Sequence, residues 1–427
     1  MMINVKKVLA YIYVLYAVTT IFTPKIKIGF ELAGVYPFEV ICTALSFYLL
    51  LSNKLRFSSI EKSYFLYVFF SFFSWMLWMS RSDSFNIESL LILIKYLSFI
   101  LLIPIAFYLK PFFSENTVKK ILYSQVLFVL LAGGYVAYNT IVYSPSPDTL
   151  IGVYSQELKL VGFTGHALSS QGLIEIGHSS VQMGVYIAVL FLIFFSLYLR
   201  IKKPRYLIMS FVLFAGLLLA YSRSGFMVMA IGITYLIGLK FLNKRVFKFA
   251  LISVIIIIFL TLFTNFWGFI STWGIMAKLS KRGLEDVARL FLWDLGLNFV
   301  LNNPVHLFFG TGYGTIYSIF ESGTLESLLF DTLVETGVFG LLFLLLTFYY
   351  IWKYSKICSM PFQSNNFLKA VLYGYFLAIP GLLIANTVGG NSFQTDFMAP
   401  TLFLTLGICL SHTTKIDFNK KVMVKIA

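Results

Sequence analysis

Arg223 stands between Ser222 and Ser224 at the start of an apolar run, and four further cations, Lys278, Lys281, Arg282 and Arg289, fall close together downstream. An arginine presents a planar fork of donors that fits phosphate oxygens bidentately, and it keeps its charge. The chemistry such a set offers is the binding of an anion. At Arg223 the free N–H groups and positive dipole of a helix start would add to it. Each feature has a simpler reading too. Arg223 either snorkels to lipid headgroups or binds a phosphate. The downstream cluster is either a solvated loop face or an anion site. Lys95 lies nearly two turns inside an apolar run, where outward snorkelling is the simpler expectation and an internal polar cavity the other. His178 borders the sixth apolar run beside Ser179 and Ser180, and His166 lies in the long loop before it; a lone histidine is more often structural than catalytic.

The elements that hold these residues are set by composition. Of 427 residues, 59% are hydrophobic and 12% charged, against about 25% charged in a soluble globular chain. The solvent is therefore lipid. A span needs roughly 20 mainly apolar residues, which predicts twelve: 7–23, 33–52, 64–80, 89–109, 120–141, 179–199, 205–221, 224–243, 247–268, 327–352, 368–388 and 397–412. The expected fold class is all-α, one polytopic transmembrane domain over 1–427. The first run follows Lys6 and Lys7 without a small-residue cleavage site and reads as a span, not a cleaved signal.

The net charge of +15 does not point to nucleic acid, because the basic residues form short clusters between spans. Of the 33 basic residues, 23 lie on connections that are inside if the N-terminus is inside: Lys6 and Lys7; Lys54, Arg56 and Lys62; Lys110, Lys119 and Lys120; Arg200 to Arg205; Lys240 to Lys248; Lys353, Lys356 and Lys369; Lys415 to Lys425. This bias predicts cytoplasmic N- and C-termini. The outer exceptions are Lys25, Lys27, Arg81, Lys159, Arg223 and the Lys278–Arg289 cluster. Two outer connections are long, 142–178 and 268–326. The second contains a predicted helix, Glu285 to Asn302, stopped by Pro304. Its Leu290, Trp293, Leu297 and Val300 make one apolar face that could lie on the membrane surface.

Cys42, Cys358 and Cys409 have no metal spacing, and no disulfide framework is expected. There is no P-loop, dinucleotide fingerprint, zinc histidine pair or paired-aspartate metal motif, so the expected reaction uses no metal and no cofactor. Gly310-Thr-Gly312-Tyr-Gly314 follows no strand and reads as a tight turn that lets backbone approach a neighbour closely.

Three pieces of sequence then carry a resemblance: Tyr221-Ser-Arg-Ser-Gly225 opening a helix; Arg289-x-x-x-Trp293 followed by Asn303-Pro304 and Phe309-Gly310-Thr-Gly-Tyr-Gly314; and Glu326-Ser-Leu-Leu-Phe-Asp-Thr-Leu-Val-Glu335-Thr-Gly337. In this order and spacing, with twelve predicted spans and a large late loop, the chain resembles the Wzy/WaaL superfamily of bacterial polysaccharide polymerases and ligases, mainly over 205–345. The resemblance implies transfer of a glycan from an undecaprenyl-pyrophosphate carrier at the outer face of the bacterial inner membrane. It also implies a polysaccharide chain-length regulator as partner. The family's two functional arginines would fall on Arg223 and Arg289. O-antigen ligases carry a His-Asn pair where this chain has Glu326-Ser327, which favours an O-antigen polymerase of the Wzy type over a ligase.

On that reading Arg223 and Arg289 would stabilise the departing pyrophosphate, and Glu326 would take the proton of the acceptor hydroxyl. A helix-capping role is the alternative for Glu326. Lys281, Arg282, Tyr313, His178 and Glu335 complete the expected substrate-binding set, with Glu335 either buried structural polarity or part of the cavity. A lipid-linked oligosaccharide flippase would share the topology, and the long loop 268–326 argues against it.

Overall fold

The computed structural model describes residues 5–22, 25–26, 36–79, 87–142, 174–175, 180–220, 222–241, 283–316, 327–360, 366–388 and 398–413. Within them the chain is helical apart from one strand pair of two residues each. The helices are α1 (Val5–Thr19), α2 (Pro37–Leu51), α3 (Ser59–Met79), α4 (Ile87–Tyr108), α5 (Glu115–Val142), α6 (Ser180–Ile201), α7 (Pro204–Ala220), α8 (Arg223–Phe241), α9 (Gly283–Leu301), α10 (Pro304–Phe309), α11 (Leu328–Ser359), α12 (Phe367–Val388) and α13 (Ala399–Thr413). Every expected span except 247–268, which lies outside the described residues, coincides with one of them. An apolar run in hydrocarbon must satisfy its backbone within itself, and the helix does so. Five helices are long and apolar enough to cross a membrane, over Ser89–Tyr108, Glu115–Tyr135, Gln182–Ile201, Leu328–Ser359 and Phe367–Thr387. The chain is a multi-pass membrane protein.

Helices α3 and α11 run antiparallel. Tyr354 and Ser59 meet through their hydroxyls at 3.4 Å, Thr347 and Ser63 at 3.0 Å, and Ser74 Oγ donates to the Glu335 carbonyl at 2.5 Å. The first and last described residues share one face of the bundle. There Lys6 Nζ lies 4.6 Å from the Tyr108 ring, near the end of α4, and His412 Nε2 lies 3.0 Å from the Phe113 carbonyl. Strands Lys25–Ile26 and Ile174–Glu175 pair antiparallel, Lys25 opposite Glu175, and tie the connection after α1 to the segment before α6.

The bundle interior is apolar with a few satisfied polar links. Tyr186 donates its hydroxyl to Gln125 Oε1 at 3.0 Å, Gln125 Nε2 donates to the Ala17 carbonyl at 3.3 Å, and Thr401 Oγ1 donates to the same carbonyl at 2.7 Å. These bonds join α1, α5, α6 and α13 where hydrocarbon gives no driving force for helix association.

Lys95 departs from the snorkelling expectation. It is buried and its Nζ lies 3.3 Å from Glu39 Oε1, the two side chains being 8% and 2% exposed. The sequence around Glu39 explains its place. Tyr36 is the N-cap of α2, Pro37 opens the helix, and Glu39 Oε2 accepts the Tyr36 N–H at 3.0 Å. The carboxylate therefore divides its oxygens between the cap and the lysine. Removing one partner of a buried ion pair costs about 3–5 kcal/mol, whereas removing both is far milder. Lys95→Met alone should lose stability on that order, and Lys95→Met with Glu39→Gln should recover most of it; denaturant unfolding of the purified protein in detergent checks both.

Candidate functional site

The centre of the candidate site is a break in α11. Gly337 has φ 70° and ψ −172° inside an otherwise continuous helix. This backbone conformation is open essentially to glycine alone. The break leaves the carbonyls one turn earlier without their helical donors, and the glycine-rich loop supplies new ones. Thr311 N–H donates to the Val334 carbonyl at 2.8 Å, and Gly312 N–H donates to the Glu335 carbonyl at 3.2 Å. Thr311 Oγ1 adds a bond to Val334 at 3.1 Å. Gly310 has φ 78° and sits so close to the Glu335 carbonyl that a Cβ there would collide with it, just as one on Gly337 would collide with the Phe308 carbonyl. The tight turn expected at 310–314 exists, and the neighbour it approaches is α11.

Glu335 completes the join. Its Oε1 accepts the Gly314 N–H at 2.8 Å, so backbone and side chain of one residue hold three points: Gly312, Gly314 and Ser74. Asp331 lies one turn earlier on the same helix. Tyr313, between the two held glycines, is buried against Trp75 and Leu93, and its ring meets Tyr96 edge-on at 6.2 Å between centroids. Tyr96 follows Lys95, which puts the Lys95–Glu39 pair in the same neighbourhood of α4.

The helix expected over Glu285 to Asn302 is α9, and Pro304 ends it by opening α10, with the Asn303 side chain capping Val305 N–H at 3.0 Å. Its apolar face does not lie on the membrane surface as expected. Trp293 stacks on Phe330 at 4.8 Å, and the buried Val300 clusters with Ile316 and Val334, so the face packs on the start of α11. Trp293 stands four residues after Arg289, and Phe330 four after Glu326. Position 289 is within α9, its side chain outside what is described. Glu326, Lys281, Arg282 and His178 lie outside the described residues. The N-cap of α11 is Ser327, whose Oγ accepts the Phe330 N–H at 3.4 Å; the capping position expected as the alternative for Glu326 thus belongs to the next residue.

Arg223 is the first residue of α8 and half-buried. Ser222 Oγ caps that helix by accepting the Gly225 N–H at 3.1 Å. Gly184 of α6 faces Ser222, where a Cβ would collide with the serine Cβ. The outer starts of α6 and α8 therefore lie against each other, and His178 precedes the first of them by two residues. α8 packs on α6 and α12, whereas the glycine loop packs on α3, α4 and α11. The structure brings Tyr313 and Glu335 together and sets Arg223 on a neighbouring group of helices.

Three residues near the loop are absent from the expected set. Ser74 is a serine in an aromatic helix and gives no sequence signal. Glu39 does give one, as the third residue after a Tyr-Pro helix start, and it complements the buried Lys95. His306 lies in α10, stacked on Phe299 at 5.4 Å with Asn303 Nδ2 3.5 Å from its Nε2.

Residues 208–345 match the family model described as O-Antigen ligase. The match supports the superfamily resemblance and an enzyme of the O-antigen polymerase or ligase type. No curated protein matches the chain.

The loop join makes a sharp forecast. Glu335→Gln keeps an oxygen for the Gly314 N–H, while Glu335→Ala removes it. Protease resistance of residues 304–316 in detergent should survive in the first variant and fall in the second. Gly337→Ala should destabilise by about 1–3 kcal/mol from backbone strain alone, seen in the same unfolding assay.

Proposed function

Because residues 208–345 belong to the Wzy/WaaL superfamily, we propose that the chain is an O-antigen or related surface-polysaccharide polymerase. It joins undecaprenyl-pyrophosphate-linked repeat units at the periplasmic face of the inner membrane. Twelve spans, cytoplasmic termini and the two long periplasmic loops 142–178 and 268–326 belong to this proposal.

In the proposed step a hydroxyl of the incoming lipid-linked unit attacks the anomeric carbon of the growing chain. The carbon–oxygen bond to pyrophosphate breaks, and the electron pair leaves with undecaprenyl pyrophosphate. Arg223 and Arg289 stabilise the charge that develops there. Glu326 takes the hydroxyl proton. One displacement inverts the anomeric centre with no covalent enzyme intermediate, so one carboxylate suffices, unlike the paired acids of most glycosidases. Lys281, Arg282 and His178 contribute to substrate binding, while Tyr313 and Glu335 hold the loop beneath it.

The observation that supports this assignment most is the Trp293–Phe330 stack. Arg289 and Glu326 each precede one of its rings by four residues, and two helices otherwise separated by a long stretch are packed together there. Preference for a polymerase over a ligase rests on Glu326-Ser327 standing where ligases carry His-Asn.

Purified protein given lipid-linked repeat units should yield longer lipid-linked chains. Transfer to lipid A core instead would make it a ligase, and no product would remove both readings. Arg223→Lys and Arg289→Lys keep the charge and lose the fork, and each should shorten or abolish polymer banding in a complementation assay. Unchanged banding in both would end the pyrophosphate-clamp idea. Full activity of Glu326→Gln would move the base elsewhere, with His178 the next to test.

A further inference from the structure

The second long connection is an outer loop by chain order, yet part of it packs deep against three membrane helices. Helix α3 has 21 residues and covers about 31 Å at ~1.5 Å per residue, close to the ~30 Å of the hydrocarbon core. Taken as crossing the membrane, it has its ends at the two boundaries, with Met79 at the outer one under the proposed topology. Phe309 of α10 meets Phe73, ring centroids 5.5 Å apart. Phe73 is six residues below Met79, about 9 Å inward. The Glu335 carbonyl that receives Gly312 also receives Ser74, about 8 Å inward by the same measure. Tyr313 packs on Leu93 and Tyr96, about 9–14 Å from the outer start of α4. Gly337, against Phe308, lies about 14 Å along α11 from its first residue. Contacts on α3 and α4 give the same depth range, and Glu335 of α11 lies level with Ser74 through their hydrogen bond.

The exposed side chains agree. Phe308 is 45% and Val305 42% exposed, beside Phe69, Phe72, Val338 and Leu342, all large apolar residues exposed on α3 and α11. The rings are continuous: Phe308 and Phe309 each meet Phe339, at 5.8 and 5.7 Å, and Phe339 stacks on Phe70 at 5.3 Å. Irregular backbone at this depth requires internal partners, and the loop has them at Gly310, Thr311, Gly312, Gly314 and Thr315.

We propose that residues 304–316 form a re-entrant segment set on the order of 10 Å into the outer leaflet, with Val305 and Phe308 against its acyl chains. The occupant of this face is outer-leaflet hydrocarbon, continuous with the lipid-facing side of α3 and α11. The proposal rests on the proposed topology, which puts the loop 268–326 outside, but not on the polymerase activity, and it is tested without turnover.

Spin labels at Val305→Cys and Phe308→Cys, in protein with Cys42, Cys358 and Cys409 replaced and held in nanodiscs, report the environment. Oxygen access should exceed that of a water-soluble nickel chelate at both sites, as at Leu342→Cys, with the reverse at Asp294→Cys and Asn302→Cys. Chelate-dominated access at 305 and 308 would put the segment in water. Access to neither reagent would mean that protein covers it. Either result overturns the proposal. The unaltered protein gives a second measure: lipid carrying a diazirine on its acyl chain should label the peptide 304–316 on irradiation, and absence of label there beside labelled α3 would also overturn it.

Discussion

A helix broken inside hydrocarbon exposes carbonyls that no water can reach, and each unsatisfied group there costs several kcal/mol. The break at Gly337 creates such a debt at Val334 and Glu335, and the backbone N–H groups of Thr311 and Gly312 meet it. The relation is mutual. The loop's own donors would be equally stranded at that depth without a kinked helix offering acceptors. Neither conformation is tenable alone, so the loop and the helix specify each other. Everything attached to the loop, including Tyr313 below it and α9 and α10 before it, takes its position from this exchange.

Glu335 uses both its side chain and its backbone to hold the loop. Its carboxylate holds the Gly314 N–H and its carbonyl holds Gly312 and Ser74. Glu335 and Tyr313 have their contacts inside the fold, at the floor of the candidate site. Of the proposed reactive groups, Arg223 is the first residue of α8 and position 289 lies within α9. The Lys95–Glu39 pair belongs with the floor: two opposite charges at 3.3 Å neutralise each other and join the start of α2 to the interior of α4.

The packing of α9 follows the same economy of apolar surface. A helix with one apolar stripe can lie on lipid or on protein. Here Trp293 and Val300 find Phe330 and Val334, and the stripe joins α9 to the start of α11. The neighbouring α10 leaves Val305 and Phe308 exposed on a continuous aromatic surface with α3 and α11.

Much of this was readable in the chain. The helices are legible because hydrocarbon tolerates long apolar helices and little else, so composition alone locates them; the described helices stand at every expected position but 247–268, and five of them are long and apolar enough to cross a membrane. The helix ended by Pro304 and the turn at Gly310–Gly314 are legible because proline and glycine act locally, through a missing N–H and a missing Cβ. Which neighbour the turn meets was not legible. Glu335 and Gly312 become partners only when α11 is kinked, and Gly337 lies in a run that reads as uninterrupted helix. Lys95 and Glu39 are 56 positions apart, and no local pattern pairs them. The side of α9 that packs was visible, but not whether lipid or protein would cover it, since both are apolar. By itself the sequence determined what is local: span, turn, cap and charge bias. Tertiary structure alone decided the pairings, because a buried donor or charge is satisfied by whichever partner the folded bundle brings within about 3 Å.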